Sequence, residues 1–505
     1  MSIDVPFLMG SPRTAPHPAA PVAFLIHEAD AAEVRAYRVL RRETFVEEQQ
    51  LFDGHDLDEL DLDERTVVLV ARAADGTVLG GVRLSPAIPL PAPDLGWWTG
   101  SRLVVARAAR GQLGIGAALV KAACAHAEAR GVLRFEATVQ PAAERMFAKL
   151  GWERLGETTV AGVRHARVRW PIGRVQRASD QAKAHLEALL DPFGGWTNAH
   201  PLSLGGPEYV GDDGAPVPGT DVIAACDAIL PAMVERDPEW AGWCAILVNL
   251  NDISAMGAEA VGVLDSLGAR DASFARRIMS GLRAATEAWG VPVLGGHTQL
   301  GVPASLSVTA LGRTAHPVRG GGARAGHALT VTADLSGGWR RGYDGSQWDS
   351  TSGRTGAELR ALGALVPTAR PAAAKDVSMA GLVGTVGMMA EASGVGAELY
   401  VAEIPRPGTA GMADWLTCFP GFGMVTADAP GAGRMGVVLA EGSGGAAGSG
   451  PGAGVNSRGG SAGHPPLAVS AECGTMTHQR GVRLRWPDGD VTTVVDSTVT
   501  GLGRA

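Results

Sequence analysis

The sequence predicts a mixed chain, α/β and α+β, folded as more than one domain. Three observations carry that prediction. The chain has 505 residues, against roughly 100–200 for an ordinary domain. Strand-like apolar runs alternate with helical periods along most of it. Its texture changes twice, at a polar helical stretch near 176–190 and at the glycine-rich run Arg319–Ala325.

Composition narrows the function classes. The 44 basic and 52 acidic residues give a net charge of −8, which predicts no nucleic-acid partner. Hydrophobic residues are 46% and charged residues 19%, enough apolar content to build cores rather than stay disordered. Apolar runs break well before the ~18 residues of a membrane helix, so no membrane partner is expected. Residues 1–21 lack the basic start and apolar core of a signal peptide and read as a disordered tail. Five cysteines without a CxxC pair fit a reduced cytoplasm and give no zinc pattern. Lysine occurs only at 121, 149, 183 and 375, so nearly all the basic charge is arginine.

The first block spans 22–172. A helix should open at Asp30, where Glu33 completes a capping box. Strands follow at Thr66–Arg72 and Thr77–Leu84, joined by an Asp75-Gly76 turn. A strand at Ser101–Ala106 runs into a glycine-rich turn and a helix from 114 to 130, stopped by Gly131. Strand Arg134–Val139, a helix at Ala142–Leu150 and one closing strand at Ala161–Trp170 complete the block. A linker helix is expected over 173–194. The second block, 195–318, carries a periodic helix at Ala272–Trp289, with Phe274, Ile278, Leu282 and Ala285 on one face. The third, 326–505, holds strand Ala328–Ala333 and a helix at Ser378–Ser393. Strands are then expected at Ala397–Val401, Gly423–Ala427 and Val437–Ala440. A flexible Gly/Ser/Ala-rich insertion is expected over 441–463.

Two places look chemical. Gly111-x-x-Gly114-x-Gly116 lies between a strand and a helix. There the backbone can approach a ligand closely, and the free amides of the first helical turn suit a pyrophosphate. The same glycines also fit a tight turn with no ligand. Glu136 sits on a strand where a carboxylate could serve as a base toward an amine, or merely face solvent. The second place is a set of aspartates beside apolar runs, at what read as loops: Asp212, Asp213, Asp227, Asp252 and Asp376. Carboxylate and phosphate at ~4 Å repel by roughly 4 kcal/mol at an effective dielectric near 20. Clustered aspartates therefore cannot hold phosphate directly, but they can hold Mg²⁺, which in turn takes phosphate oxygens.

The first block resembles the GNAT acyltransferase family. The resemblance rests on the order of elements, on Gly111-x-x-Gly114-x-Gly116 and on Arg145-Met-Phe-Ala-Lys-Leu-Gly-Trp152. It implies an acyl-CoA cofactor such as acetyl-CoA. Leu103, Val104 and Val105 would then pair with the pantetheine, and Gly111, Gly114, Ile115, Gly116 and Ala117 would cradle the pyrophosphate. Phe147 stands where many members have the tyrosine that protonates the leaving thiolate. The run Leu40–Gln49 with Asp58 and Asp61 is similar to a GNAT branch with an R-x-x-V-F-V-x-E-Q…D-x-x-D pattern.

Residues 195–505 resemble the superfamily of aminoimidazole ribonucleotide (AIR) synthetase, thiamine-monophosphate kinase, selenophosphate synthetase and the hydrogenase maturation dehydratase. The matches are Gly211-Asp-Asp, Asn251-Asp-Ile-Ser-Ala-Met-Gly-Ala258, Gly295-Gly-His-Thr298 and Asp376-Val-Ser-x-x-Gly381. The resemblance implies a two-part PurM-like fold, ATP and Mg²⁺ as cofactors, a small-molecule substrate and a homodimer built by the first half. It assigns Asp212, Asp227 and Asp252 to the metal. Asp213, Asn251, Gly295 and Gly296 go to the nucleotide or substrate, and His297 and Asp376 to catalysis. As a whole, the chain is similar to a bacterial family of such fusions linked to nitrilase gene clusters and nitrogen starvation.

Overall fold

The computed structural model describes residues 24–111, 114–184, 186–193, 204–206, 208–442 and 466–502. The expected tail and nearly all of the expected insertion fall outside them. The chain divides into two compact units, 1–174 with 411–413 and 175–410 with 414–505. No helix among the described residues is long and apolar enough to cross a membrane.

The first unit is a seven-stranded sheet in the order β1-β2-β3-β4-β5-β7-β6. The strands are β1 (Phe24–Glu28), β2 (Val67–Ala73), β3 (Val78–Pro86), β4 (Trp97–Val105), β5 (Arg134–Val139), β6 (Glu153–Val160) and β7 (Val163–Trp170). The helices are α1 (Ala31–Arg41), α2 (Ile115–Ala129) and α3 (Pro141–Lys149). The Asp30 carboxylate caps α1 by accepting from the Ala32 and Glu33 amides, and Glu33 reaches back to the Asp30 amide. One core lies between the sheet and α2 with α3, around Leu119, Val120, Phe135 and Phe147. A smaller one packs Tyr37 of α1 against Val70, Val78 and Val104. The single closing strand expected at 161–170 is a hairpin. Its first arm, β6, alternates in exposure with no buried residue, so it lacks an apolar signal.

The second unit begins with α4 (Arg174–Lys183) and α5 (Leu186–Leu190). Its first half is a five-stranded sheet in the order β11-β10-β12-β9-β8. The strands are β8 (Ala215–Pro216), β9 (Val222–Ile229), β10 (Glu259–Ala269), β11 (Val293–Leu300) and β12 (Ser305–Arg313). One face is covered by α6 (Pro231–Arg236), α7 (Pro238–Ala255) and α8 (Ala272–Trp289). Almost every residue of α7 is buried, as the unbroken apolar run Trp240–Val248 requires of its middle. The α8 helix starts at an Asp271 cap and ends at Gly290 with φ 72°.

The second half is a seven-stranded sheet in the order β16-β18-β13-β19-β17-β20-β21, with a small β14-β15 pair. These strands are β13 (Ala328–Ala333), β14 (Gly338–Trp339), β15 (Trp348–Asp349), β16 (Ala373–Asp376), β17 (Gly396–Tyr400), β18 (Gly423–Asp428), β19 (Val469–Thr477), β20 (Gly481–Arg485) and β21 (Val491–Val495). The helices are α9 (Gly356–Gly363), α10 (Leu365–Ala369), α11 (Gly381–Ala392), α12 (Met412–Thr417) and α13 (Arg434–Gly442). The strand expected at Val437–Ala440 is instead part of α13. Met435, Val438 and Leu439 face a core while Val437 is exposed, a helical spacing that four consecutive apolar residues conceal.

Candidate functional site

In the first unit β4 and β5 run parallel and pair only from Trp97↔Arg134 to Gly100↔Ala137. Beyond Gly100 the two strands part. A β-bulge against β3 falls at this point, and Arg102 in β4 has φ 54°. Leu103, Val104 and Val105 form the free arm of β4. At its end the turn leads into α2. Gly111 (φ 79°) and Gly114 (φ 65°) take a backbone that only glycine adopts readily, and a Cβ on either would meet nothing within 4 Å. Gly114 caps α2 without a side-chain acceptor. The first-turn amides around Ile115, Gly116 and Ala117 are therefore left for a ligand. The donors and the open approach fit a pyrophosphate. Gln112 and Leu113 lie outside the described residues.

Arg110 is fixed beside this turn. It donates to the Val105 carbonyl at 2.9 Å and, through both terminal nitrogens, to Glu48 at 2.5 and 2.8 Å. The Asp58-x-x-Asp61 pattern is an ion network. Asp61 pairs with Arg41 at 2.5 Å and Arg83 at 2.8 Å, and Asp58 with Arg83 at 2.6 Å and Arg102 at 3.0 Å.

The expected base is corrected. Glu136 is buried and clamped by Arg134 (2.9 and 3.0 Å) and Arg169 (2.9 Å). A carboxylate held by two guanidinium groups is a structural counter-ion, not a free base. Phe147 is buried edge-on against Trp152, with ring centroids 5.2 Å apart, and has no proton to give.

In the second unit Asp213 (loop before β8), Asp252 (on α7) and Asp376 (last residue of β16) converge. Each offers a carboxylate oxygen within 4.8 Å of the other two. Asp252 and Asp376 are buried. Lys375, 1% exposed, donates to Asp213 Oδ1 at 2.5 Å and to the Gly211 carbonyl at 2.9 Å. The Asp376 amide donates to Asp213 Oδ2 at 3.0 Å. One ammonium does not balance three carboxylates. Burial first, then the charges of Asp376, Asp227 and Asp213, push Asp252 well above the usual carboxylate range. Burial, then Asp213 and Asp227, do the same to Asp376. Asp376 Oδ2 is buried without a hydrogen-bond partner. Such an oxygen-rich, under-neutralised site fits a hard divalent cation.

Two members of the expected metal trio, Asp227 and Asp212, are not among the three carboxylates that meet. Asp227 lies on β9, where its amide donates to Asn249 Oδ1 at 3.1 Å. It acts on Asp252 and Asp376 through its charge but is not one of the three that meet. Asp212 turns aside toward Gly320, where a Cβ would come within 2.6 Å of its Oδ1. Burial pushes Asp212 up to about 6, with Lys375 opposing. Of the five aspartates, Asp252 is helical and Asp227 and Asp376 lie in strands, so only Asp212 and Asp213 occupy a loop.

Asn251 donates to the Gly421 carbonyl at 2.9 Å and so clasps α7 to the second half of the unit. His297 is not brought to the cluster. Register places it beside Ser266 on exposed β11, while the adjacent row runs Gly296↔Asp265↔Val308↔Asp227. His297 and Asp227 therefore point to opposite faces of one sheet. Gly296 lies against Asp265, and Gly295 is open. Sequence reasoning passed over Lys375 and Asn249. The rarity of lysine in an arginine-rich chain was the available signal for Lys375. Nothing in the sequence marks Asn249.

Comparisons with known proteins match both units. The Acetyltransferase (GNAT) family model matches residues 34–152. The N- and C-terminal domain models of AIR synthase related protein match 211–314 and 350–441. The uncharacterized protein sll0787 of Synechocystis sp. is 33% identical over 229 residues, 44% of this chain and 70% of that one. The thiamine-monophosphate kinase of Archaeoglobus fulgidus is 31% identical over 122 residues, 23% of this chain and 40% of that one. The crystal structure of the thiamine-monophosphate kinase from Stenotrophomonas maltophilia is a looser likeness: 21% identity, TM-score 0.40, 55% of this chain and 88% of that one. The chain therefore carries a domain of the GNAT acetyltransferase family followed by the N- and C-terminal domains of AIR synthase related protein.

Proposed function

We propose that the second unit is an ATP- and Mg²⁺-dependent phosphoryl-transfer site acting on a small molecule, and that the first unit is an acyl-CoA site for an amine acceptor. The observation that carries the reading is the convergence of Asp213, Asp252 and Asp376 beside Lys375. These three carboxylates would hold Mg²⁺, which would supply charge neutralisation to the phosphates of ATP. Asp227 adds negative field that strengthens the hold on the cation. Lys375 keeps Asp213 oriented and partly neutralises the cluster, and Asn249 fixes the Asp227 backbone. The kinase names of the relatives support the same reading.

In the first unit the free arm Leu103–Val105 would pair with the pantetheine and the start of α2 would hold the pyrophosphate. One observation favours a second reading of this unit alone. With Glu136 clamped and Phe147 protonless, the fold can bind acyl-CoA as a sensor without transferring the acyl group. The homodimer expected through the first half of the second unit gains support from β11. It is an edge strand whose eight residues are all exposed, Val293, Leu294 and Leu300 among them, and such an edge is a template for pairing.

The test is ADP release in the presence of Mg²⁺ across a panel of small polar substrates, with free thiol release from acetyl-CoA followed in parallel. Substrate-dependent ADP formation that vanishes in Asp252→Ala is expected. Nucleotide turnover that survives Asp252→Ala contradicts the assignment of the cluster. Thiol release that tracks an amine separates the transferase from the sensor.

A further inference from the structure

The bulge in β4 holds an arginine where a bulge of this kind ordinarily holds glycine. Gly81 of β3 pairs with Val104 and Arg83 with Ser101, so Arg102 and Leu103 together face the single residue Val82. Arg102 is the first of the two and has φ 54°. Glycine suits that place, because in the left-handed region a Cβ crowds the following carbonyl oxygen. A non-glycine residue persists there only where its surroundings over-determine it.

The surroundings do so from both ends of the residue. The Tyr37 hydroxyl donates to the Arg102 carbonyl at 2.6 Å. Tyr37 lies on α1 and is fully buried, so the carbonyl is turned out of the sheet toward that helix. The ring reaches this place because Gly81 has no side chain: a Cβ there would come within 2.7 Å of it. At the other end, the Arg102 guanidinium pairs with Asp56 and Asp58 and lies over Phe52, its carbon 4.7 Å from the ring centroid. Pairing with β3 continues on either side of the bulge. What ends here is the other edge, whose last pair with β5 is Gly100↔Ala137.

We propose that Tyr37 is a positioning residue of the acyl-CoA site: by holding the Arg102 carbonyl it fixes the left-handed bulge and keeps Leu103–Val105 turned from β5, free to pair with the pantetheine. The proposal rests on the acyl-CoA reading above and deepens it.

The test is calorimetric titration of the full chain with acetyl-CoA and with adenosine 3′-phosphate 5′-diphosphate, which carries the pyrophosphate of the cofactor but no pantetheine. Tyr37→Phe keeps the ring and its packing. It is expected to weaken acetyl-CoA at least fivefold more than it weakens the diphosphate. Adding Arg102→Gly to Tyr37→Phe should recover most of that loss, because glycine takes a positive φ unaided. Arg102→Gly and Arg102→Val alone remove the same guanidinium, and Asp56 and Asp58 keep Arg41 and Arg83 as partners. The two differ in the backbone each tolerates, so the valine variant should bind acetyl-CoA at least fivefold more weakly than the glycine variant. Unaltered acetyl-CoA affinity in Tyr37→Phe overturns the proposal and leaves the acyl-CoA reading standing. So does a loss shared equally by both ligands, or one that Arg102→Gly does not repair, since either marks a tyrosine that only fills the core. Failure of the unmodified chain to bind either ligand overturns the acyl-CoA reading and the proposal with it. Should Arg102→Val misfold, the Tyr37→Phe comparisons decide.

Discussion

Asp212 and its sequence neighbour Asp213 differ in their surroundings. Asp213 is tied to Lys375 and the Asp376 amide, whereas neither Asp212 oxygen has a hydrogen-bond partner. Burial raises Asp212 from 3.8 to about 6. Because the folded protein keeps this proton where the unfolded chain has lost it, the contribution to stability is full below pH ~4. It falls as pH rises through about 6, by about 3 kcal/mol in total. Asp212→Asn should therefore flatten the pH dependence of unfolding between 4 and 7 and leave the protein no less stable at pH 7. Denaturant titrations at stepped pH check this, and an unchanged slope contradicts it. Arg83 gives a second prediction at this scale. It is 1% exposed and serves both Asp58 and Asp61. Removing it as Arg83→Ala takes one of two guanidinium partners from each carboxylate, and a loss of about 1–3 kcal/mol is expected from thermal unfolding.

At the scale of elements, the half that carries Asp252 depends on how closely α7 and α8 approach. A Cβ on Gly281 would lie 1.9 Å from the Glu239 carbonyl oxygen, and one on Gly242 2.3 Å from that of Ile278. Two helices in near backbone contact hold Asp252 at a fixed height. Gly281→Ala should cost about 1–3 kcal/mol by overpacking and weaken Mg²⁺-dependent nucleotide binding with it, as read by thermal shift. Unaltered stability would show that the helices can separate freely.

Elements like these also show how much the sequence discloses. The α8 helix was legible because one face repeats at Phe274, Ile278, Leu282 and Ala285, and α1 because Asp30 and Glu33 write its cap. The β6 strand was not, since it buries nothing, and α13 was not, since four apolar residues carry no period. The site was half legible for a related reason. Motifs name which aspartates are unusual, but only the fold decides which side chains face one point. Asp213 displaces Asp212 because adjacent loop residues turn opposite ways, and Asp376 enters because β16 ends beside α7. His297 drops out because strand alternation sends it to the other sheet face.

At the scale of the whole molecule, a GNAT domain and the two AIR synthase related domains lie on one chain, in separate units. The open face of the second unit's first sheet carries Leu264 and Val261 beside the bare edge strand β11. Light scattering on the purified chain should return twice its 51.9 kDa mass. Placing lysine at exposed Leu294 of β11 should shift that mass toward the monomer. A monomer in the unmodified protein contradicts the dimer. All of the nucleotide chemistry depends on whether three buried acids share one cation. Calorimetric titration with a non-hydrolysable ATP analogue, with and without Mg²⁺, on the unmodified chain and on Asp252→Asn and Asp376→Asn, asks this most directly. Binding that requires Mg²⁺ and is lost in both variants is the predicted result. Equally tight binding without Mg²⁺, or in either variant, would contradict it.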